Sequence, residues 1–375
     1  MNSITTTYGM NRLRVKGAVL LLTVVLLLIM VTLVTLYTGK IQSIEHQITL
    51  NQQNQKWANA SAKTGLQRSL ARLAVNKALL AGPVEAVLAD DSQFTVIGDV
   101  ELLTGGRQLV TLTSTGTSAD GLASASISQN AVIYPLLTNI PPAPLLAKHG
   151  FHHAGKFELV LNPNGLAEAV PLSLWSDSPV VLLGTQHHSC YMADFNASKC
   201  LTNSFSSSGV KQLDIADNSA SFPSDIMSYV FNLPTEQWSH LRELSDFQLT
   251  HCNDLDIDSW GFVWVNGDCE ISASTQVATQ SKPIILVVLN GQLVLQSDVT
   301  VYGLVFSFKS PDSLIEPSVD MLTHALVQGF VLANYQLGAS GETVRVVFNE
   351  QVAEQLLQNS MLQRVAKVPG SWRDF

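Results

Sequence analysis

The sequence predicts an α+β protein in which a long N-terminal helix crosses a membrane and continues as a stalk, followed by a small antiparallel β module and a larger β-rich domain. A charge-free apolar run near the N-terminus leads into residues with helical spacing. The rest of the chain consists of short strand-like runs separated by glycine-containing turns. Because long helices do not alternate with these runs, the larger domain is expected to be an irregular β-helix or solenoid, with a β-sandwich as the alternative.

The composition excludes two broad classes of protein. Of the 375 residues, 46% are hydrophobic and 14% are charged, and the formal net charge is -9. Soluble proteins typically contain about 25% charged residues. A chain with this much apolar and this little charged content is not expected to be disordered. The negative net charge argues against binding to phosphate backbones, so no nucleic-acid partner is expected.

The first predicted element is a membrane span. Residues 18–37 form a 20-residue run without a charge, which as a helix matches the hydrocarbon core of about 30 Å. A secretory signal peptide is the alternative, but its apolar region is usually shorter and ends in a small-residue cleavage site. Arg12, Arg14 and Lys16 precede the run without an acid. The positive-inside rule therefore places the N-terminus in the cytoplasm and the bulk of the chain across the membrane.

The same helix is expected to continue beyond the membrane as a stalk. Gly39 aside, residues 40–81 contain no helix breaker except Gly65, and isoleucines and leucines recur at helical spacing. Gly82-Pro83 is the expected stop signal. The stalk residues are rich in Gln and Asn, so they need another surface to pack against.

The predicted helix and the turn signals after it divide the whole chain. We expect five parts: a cytoplasmic leader 1–17, the transmembrane and stalk helix 18–82, a small β module 91–135, a larger β-rich domain 141–356 and a C-terminal tail 357–375. The Pro-rich residues 141–144 mark the boundary between the two β regions. Within the larger domain, a disulfide-stapled insertion at 222–269 contains a short helix predicted to begin at Pro234 and end at Leu244.

Four cysteines form two pairs that are local in the sequence. They are Cys190, Cys200, Cys252 and Cys269. An oxidising compartment favours disulfides Cys190–Cys200 and Cys252–Cys269, although four cysteines allow three connectivities. A zinc site with His187, His188 or His251 is the disfavoured alternative, since no metal-ligand spacing is present. The loop between Cys252 and Cys269 contains Trp260 and Trp264, and we expect both to be buried. The alternative is that they are exposed and suited to adhesion or subunit contact.

No pattern indicates catalysis. Asp254, Asp256 and Asp258 alternate as in a calcium loop, but Ser259 and Val265 stand where an EF-hand needs Gly and Glu. A looser calcium site stays open. The adjacent pairs His152-His153 and His187-His188 are poorly placed to share one ion, because neighbouring strand residues face opposite sides. We therefore predict no catalytic residue, no resident metal, no cofactor and no enzymatic activity.

The N-terminal region resembles that of the PilX-like minor pilins of type IV pilus assembly. Lys16-Gly17 before Ala18 resembles a class III leader junction, which implies cleavage by prepilin peptidase between Gly17 and Ala18. The signature continues along one helix with Glu45, Ile48, Asn51, Trp57 and a small-residue run that closes on Gly65-Leu66. The sequence departs from the pattern at Lys63, where relatives often have Glu.

The resemblance also implies that Leu22 replaces an acid used in filament assembly. It occupies the fifth position of the mature chain, where major pilins carry a Glu that neutralises a buried terminal amine. A subunit without this acid is expected at the filament tip or in the initiation complex. The alternative is that Leu22 merely faces lipid in a permanent anchor.

The resemblance implies a location and a set of partners. The location is the bacterial inner membrane, with the bulk of the chain in the periplasm and a move to the cell surface after assembly. The implied partners are other minor and major pilins, prepilin peptidase, the inner-membrane pilus machinery and, before assembly, the lipid bilayer.

Three functions follow as hypotheses. The leading one is a minor pilin that primes or caps a type IV pilus. The second is a K-type pseudopilin of a type II secretion pseudopilus, whose added domain would be largely helical. The third is a periplasmic adhesin on a permanent membrane anchor.

Overall fold

A computed structural model describes residues 12–75, 82–152, 154–166, 170–183, 186–201, 205–207, 209–339 and 341–374. Helix α1 spans Arg12–Val75, 64 residues, and passes through Gly39 and Gly65 without a break. It therefore begins before the expected start at Ala18. The expected stop is consistent with Gly82 and Pro83 lying outside any helix, while residues 76–81 fall outside the described ranges.

The apolar first half of α1 is uncovered by the other described residues. Within the described ranges, the helical stretch Val19–Val75 is the one segment long and apolar enough to cross a membrane, and none of its most apolar window is buried. The large apolar side chains between Val19 and Tyr37 are all exposed. This half of the helix needs lipid or other helices as its apolar surroundings.

The other elements are short. The strands of the first half are β1 Val84–Val87, β2 Gln93–Leu102, β3 Gln108–Thr117, β4 Ser124–Pro135, β5 Leu145–Ala147, β6 Lys156–Val160, β7 Asn162–Leu166, β8 Val170–Leu172, β9 Leu174–Trp175, β10 His187–Cys190, β11 Phe195–Asn196, β12 Lys199–Cys200 and β13 Ile215–Ala216. Two helices follow, α2 Ile226–Phe231 and α3 Trp238–Glu243. A 3-10 turn Thr235–Gln237 precedes α3, so the predicted helix between Pro234 and Leu244 is present as a turn plus α3.

The further described strands lie in the second half of the chain. They are β14 Phe247–Leu249, β15 Gly261–Asn266, β16 Cys269–Ile271, β17 Gln276–Val277, β18 Ile284–Leu289, β19 Gln292–Leu295, β20 Thr300–Phe308, β21 Ser318–Met321, β22 Leu326–Ala333, β23 Thr343–Val347, β24 Gln363–Lys367 and β25 Arg373–Asp374. Helix α4 spans Glu350–Gln358, and the side chain of Asn349 caps its N-terminus. The α+β class with its long N-terminal helix is confirmed.

A small antiparallel sheet packs against the second half of α1. Its strand order is β1-β2-β3-β4-β24, with β25 also paired to β4. Alternate residues of β2, β3 and β4 face the helix and form one core with it: Ala62, Leu66, Leu70, Leu73, Phe94, Val96, Val110, Leu112, Ile127, Ala131 and Ile133. We call this sheet with the helix residues that it covers the head.

The C-terminal residues return to the head. Segment 357–375, expected to be a tail, contains strand β24, whose Gln363–Lys367 pair with Ala131–Pro135 of β4. The amide of Leu136 also donates to the carbonyl of Leu362 at 2.9 Å. The expectation of a tail is wrong because this pairing is non-local. The chain leaves the head after β4 and re-enters it at β24, so the larger domain is an insertion between neighbouring strands.

That insertion is a parallel β-helix. One sheet has the order β10-β6-β23-β22-β20-β18-β15-β14, and a second has the order β16-β19-β21, with parallel pairing throughout both paths. Gly261 pairs with Ile284, Ile284 with Gly303, and Gly303 with Gly329. Successive coils therefore contain 23, 19 and 26 residues, from the differences of these numbers. Parallel coils fit the solenoid expectation and not the β-sandwich.

Both faces of the main parallel sheet are buried. Val263 and Val265 point into the β-helix interior, whereas Phe262 and Trp264 of the same strand point outward. Helices α2, α3 and α4 cover the outer face with residues such as Met227. Double burial explains why these strands read as continuous apolar runs and not as alternating ones.

Each disulfide lies at one end of the β-helix. Cys190 of terminal strand β10 is joined to Cys200, and the Cα atoms are 5.7 Å apart. Cys252, just after terminal strand β14, is joined to Cys269, with a Cα separation of 5.0 Å. These are the pairings favoured from the sequence. A terminal coil has a neighbour on one side alone, so a covalent staple there replaces part of the missing pairing.

Removing one disulfide is expected to loosen one end of the β-helix. A Cys252→Ser, Cys269→Ser chain should lose about 2–4 kcal/mol of stability, with faster amide exchange in β14 to β16. A Cys190→Ser, Cys200→Ser chain is the matched control and should show faster exchange in β6 and β10. Hydrogen exchange with mass spectrometry on the full chain in detergent measures both. Equal exchange at the two ends in either variant would contradict this assignment.

Candidate assembly surface of the N-terminal helix

The contact between α1 and the head is built from small residues. A Cβ atom on Gly116 of β3 would lie 2.2 Å from the carbonyl oxygen of Ala58 and 2.4 Å from the amide nitrogen of Ala62. A Cβ atom on Gly65 would lie 2.6 Å from the ring of Phe94. The helix can approach the sheet this closely only because side chains are minimal on both sides. This gives the small-residue run that closes on Gly65 a packing role.

Polar contacts mark where the helix meets the head. Asn54 Nδ2 donates to Asp120 Oδ2 at 2.5 Å, and Gln55 Nε2 donates to the carbonyl oxygen of Ser124 at 3.2 Å. The hydroxyl of Ser118, donating to Asp120, lowers the pKa of that carboxyl. Asp120 is therefore ionised at neutral pH and holds the start of the buried part of the helix.

The signature residues divide between exposed and buried positions. Four of them are exposed on the part of α1 before the head: Glu45, Ile48, Asn51 and Trp57. Lys63 is also exposed, on the face of the helix opposite the sheet. Lys63 therefore takes no part in the core of the head. These exposed residues follow the apolar stretch along α1, and the other described residues leave this part of the helix surface uncovered.

The residues of the expected leader junction and Leu22 lie near the start of α1. The backbone of Gly17 and Ala18 is helical, and their side chains lie outside the described ones. Leu22 is 61% exposed.

Arg364 connects the head to the β-helix. The guanidinium of Arg364 on β24 donates to the carbonyl oxygen of Leu244 at 3.1 and 3.2 Å and to Asp246 Oδ2 at 2.8 Å. The same carboxylate oxygen accepts from the amide of Phe262 at 2.8 Å, at the start of β15. Arg364 thus joins strand β24 of the head to the terminal coil. Sequence reasoning missed this contact, which spans 118 residues and has no local signal.

The two disulfides remove all four cysteines from the zinc alternative. The sulfur of Cys190 is bonded to Cys200, and the ring of His187 is buried beside Phe151 and Phe157. Across the described ranges, which omit residue 153, no group of three His, Cys, Asp or Glu side chains is arranged to hold a metal ion.

The acidic loop is organised as a turn. Asp256 Oδ1 accepts from the amide of Asp258 at 3.0 Å and from the hydroxyl of Ser259 at 3.2 Å. These are hydrogen bonds of a local Asx turn, so they explain the Asp spacing without a calcium ion.

The expectation that both loop tryptophans are buried is half wrong. Trp264 is fully buried on β15 and stacks on Trp238 of α3 with the ring centroids 6.3 Å apart. Trp260 is 38% exposed and meets Phe247 edge to face at 5.1 Å. The difference arises because Trp264 lies within a covered strand, whereas Trp260 precedes the strand at the open end of the β-helix.

Comparisons with known proteins give one weak likeness. The sequence matches no family model and no curated protein. Among solved structures, the chain is similar to the competence-associated pilin ComZ from Thermus thermophilus, with 11% identity and a TM-score of 0.29. The match covers 86% of this chain and 98% of that chain. At that score the likeness supports neither a fold nor a function.

Proposed function

We propose that this chain is a pilin-like subunit of a type IV filament and, more specifically, a minor pilin that primes the filament or caps its tip. The observation that carries the proposal is the division of α1. Its apolar first half is exposed along the whole length of a membrane span, and its second half is packed under a small antiparallel sheet. One continuous helix can then serve first as an anchor and later as part of a filament core.

The energetics of such a transfer are compatible with this helix. Moving the stretch between Val19 and Tyr37 from lipid to a bundle of similar helices exchanges one apolar environment for another, so the hydrophobic term nearly cancels. A terminal amine created by cleavage before Ala18 would be a buried charge, which costs several kcal/mol unless it is paired. With Leu22 in place of an acid, this subunit cannot pair the amine of a neighbour. It therefore belongs where no such neighbour lies ahead of it.

The proposed partners and location follow from the same reasoning. Other minor and major pilins would contact the exposed face of α1, and prepilin peptidase and the inner-membrane machinery would act on the leader and the span. The chain would begin as a single-pass inner-membrane protein with a cytoplasmic N-terminus. The β-helix would then be displayed beyond the head, on the periplasmic side and later at the cell surface.

The two alternatives are less well supported. A K-type pseudopilin would carry a largely helical added domain, whereas the described residues between Leu136 and Leu362 form mainly parallel strands. A permanently anchored adhesin would use the same span and β-helix but needs no leader cleavage. Processing therefore separates this last alternative from the proposal.

Processing at the leader junction is the first test. When the full chain is co-expressed with a prepilin peptidase, the mature protein should begin at Ala18. A Gly17→Leu chain should keep its leader, because the bulky side chain blocks the scissile bond. Gly39→Ala is the matched control, since a Cβ atom at Gly39 meets nothing within 4 Å. An uncut chain, or an N-terminus after Tyr37, would contradict the proposal.

The role at the tip is tested in the same expression strain by counting filaments. A Leu22→Glu chain gains the acid that a filament-body subunit uses, so we expect fewer initiated filaments and more of this subunit within each one. The wild-type chain should label filament tips alone in immunogold microscopy. An unchanged filament number and stoichiometry would show that the missing acid at Leu22 has no part in positioning the subunit.

A further inference from the structure

The end of the β-helix at β14 contains an open apolar cleft. Its volume is about 240 Å³, and its lining includes Phe247, Leu249, Leu255, Trp260 and Val263. Leu255 and Val263 belong to the cluster that fills the β-helix interior, and Leu249 packs against that cluster. The cleft is therefore a continuation of the core at the point where the stack of coils stops.

This end of the β-helix has an unpaired strand edge and exposed aromatic rings. Strand β14 is the last in its sheet, so within the described ranges no strand pairs with its outer edge. Phe247 and Trp260 are 40% and 38% exposed, and their rings stand at 81° to each other as two walls of the cleft. An unpaired strand edge beside exposed aromatic rings is a surface that proteins commonly cover with a binding partner.

The charge around the cleft specifies the partner. Asp254, Asp256 and Asp258 all line it, and no lysine or arginine does. Asp256 is engaged by the turn, whereas the described side chains offer the carboxylates of Asp254 and Asp258 neither a hydrogen bond nor an ion pair. A long basic side chain complements this arrangement, since its alkyl stem lies on apolar surface while its charged end reaches aromatic faces and carboxylates.

We propose that this cleft binds a basic side chain carried on an extended segment of a partner protein, with the partner backbone adding to the free edge of β14. Main-chain hydrogen bonds to the edge would supply much of the affinity, and the cleft would select the side chain. The inference does not depend on the proposed function, since it rests on the end of the β-helix alone.

The test uses the full chain in detergent and two synthetic peptides. Both are acetylated pentapeptides with valine and threonine around a central residue, which is lysine in one and norleucine in the other. Calorimetric titration should show binding of the lysine peptide, at least about tenfold weaker binding of the norleucine peptide, and a loss of the difference at high salt. Choline and N-acetylglucosamine serve as probes for other ligand classes.

Variants of the cleft test whether the lysine peptide binds there. Trp260→Ala, and separately Asp254→Asn with Asp258→Asn, should each weaken the lysine peptide about tenfold or more. Trp372→Ala and Asp312→Asn remove an exposed tryptophan and an exposed acid elsewhere and should leave affinity within about twofold. Equal binding of both peptides, insensitivity to the cleft variants, no binding of either peptide, or preferred binding of choline or the sugar would each overturn the proposal.

Discussion

A Gly116→Val chain is expected to lose the packing of α1 against the head while its β-helix stays folded. The first side-chain atom would lie 2.2 Å from the carbonyl oxygen of Ala58 and 2.4 Å from the amide nitrogen of Ala62. Both neighbours are helix backbone, so the clash cannot be relieved by a rotamer change. Relief requires the helix to move away from the sheet, which opens the core around Leu66 and Leu112.

The expected loss is about 3 kcal/mol or more, at or beyond the upper end of ordinary overpacking. Hydrogen exchange should speed up in β2, β3 and β4 and in helix residues 58–73, with β18, β20 and β22 unchanged. Thr115→Val is the matched control, because Thr115 directly precedes Gly116 in the same strand and faces solvent. Unchanged protection of the head in Gly116→Val would show that the close approach carries little energy.

The same variant bears on the proposed function. Under that proposal, a helix released from the head keeps its exposed apolar stretch, so the protein should be inserted and processed as before. Its head and β-helix would then no longer be held in one orientation relative to the filament core. We expect normal leader cleavage together with impaired incorporation into filaments, which separates the anchoring role of α1 from its scaffolding role.

The sequence was sufficient for the elements whose signals are local. The charge-free run and the absence of breakers predicted α1, because one helix needs only its own residues for hydrogen bonding. Short strand-like runs predicted the small β module 91–135, in which the structure has β2, β3 and β4. The nearby cysteine pairs were likewise favoured by their spacing.

Non-local features could not be read in the same way. Coils of 23, 19 and 26 residues have no fixed period, so the repeat that would identify a solenoid is hidden. Strand β24 looks like part of a polar tail until its partner β4 is known. The contact between Arg364 and Asp246 depends on the fold of everything between them. One signal was available, since an isolated glycine inside a strand, as at Gly116, indicates close approach by another element.

Gly303→Ala is expected to unfold the β-helix while leaving the head intact. Gly303 lies in β20 between β18 and β22, at φ +150°, a conformation that side chains other than that of glycine rarely adopt. An added Cβ atom would lie 1.9 Å from the carbonyl oxygen of Ile284 in the neighbouring coil. Gly329 stands next to it in register at φ +136°, and a Cβ atom there would lie 2.0 Å from the carbonyl oxygen of Gly303.

Backbone strain and a clash between coils act together in Gly303→Ala, so the loss should be about 3 kcal/mol or more. Because β20 is a central strand, its displacement breaks the pairing with both β18 and β22. Displacement of a strand at the end of the sheet would break the pairing with one neighbour only. Proteolysis should cut within residues 136–362 and spare the head, whose sheet is held together by the pairing of β4 with β24. Thr300→Val in the same strand is the control and should behave as the wild-type chain. Resistance of Gly303→Ala to proteolysis would mean that the coils can shift enough to admit a methyl group.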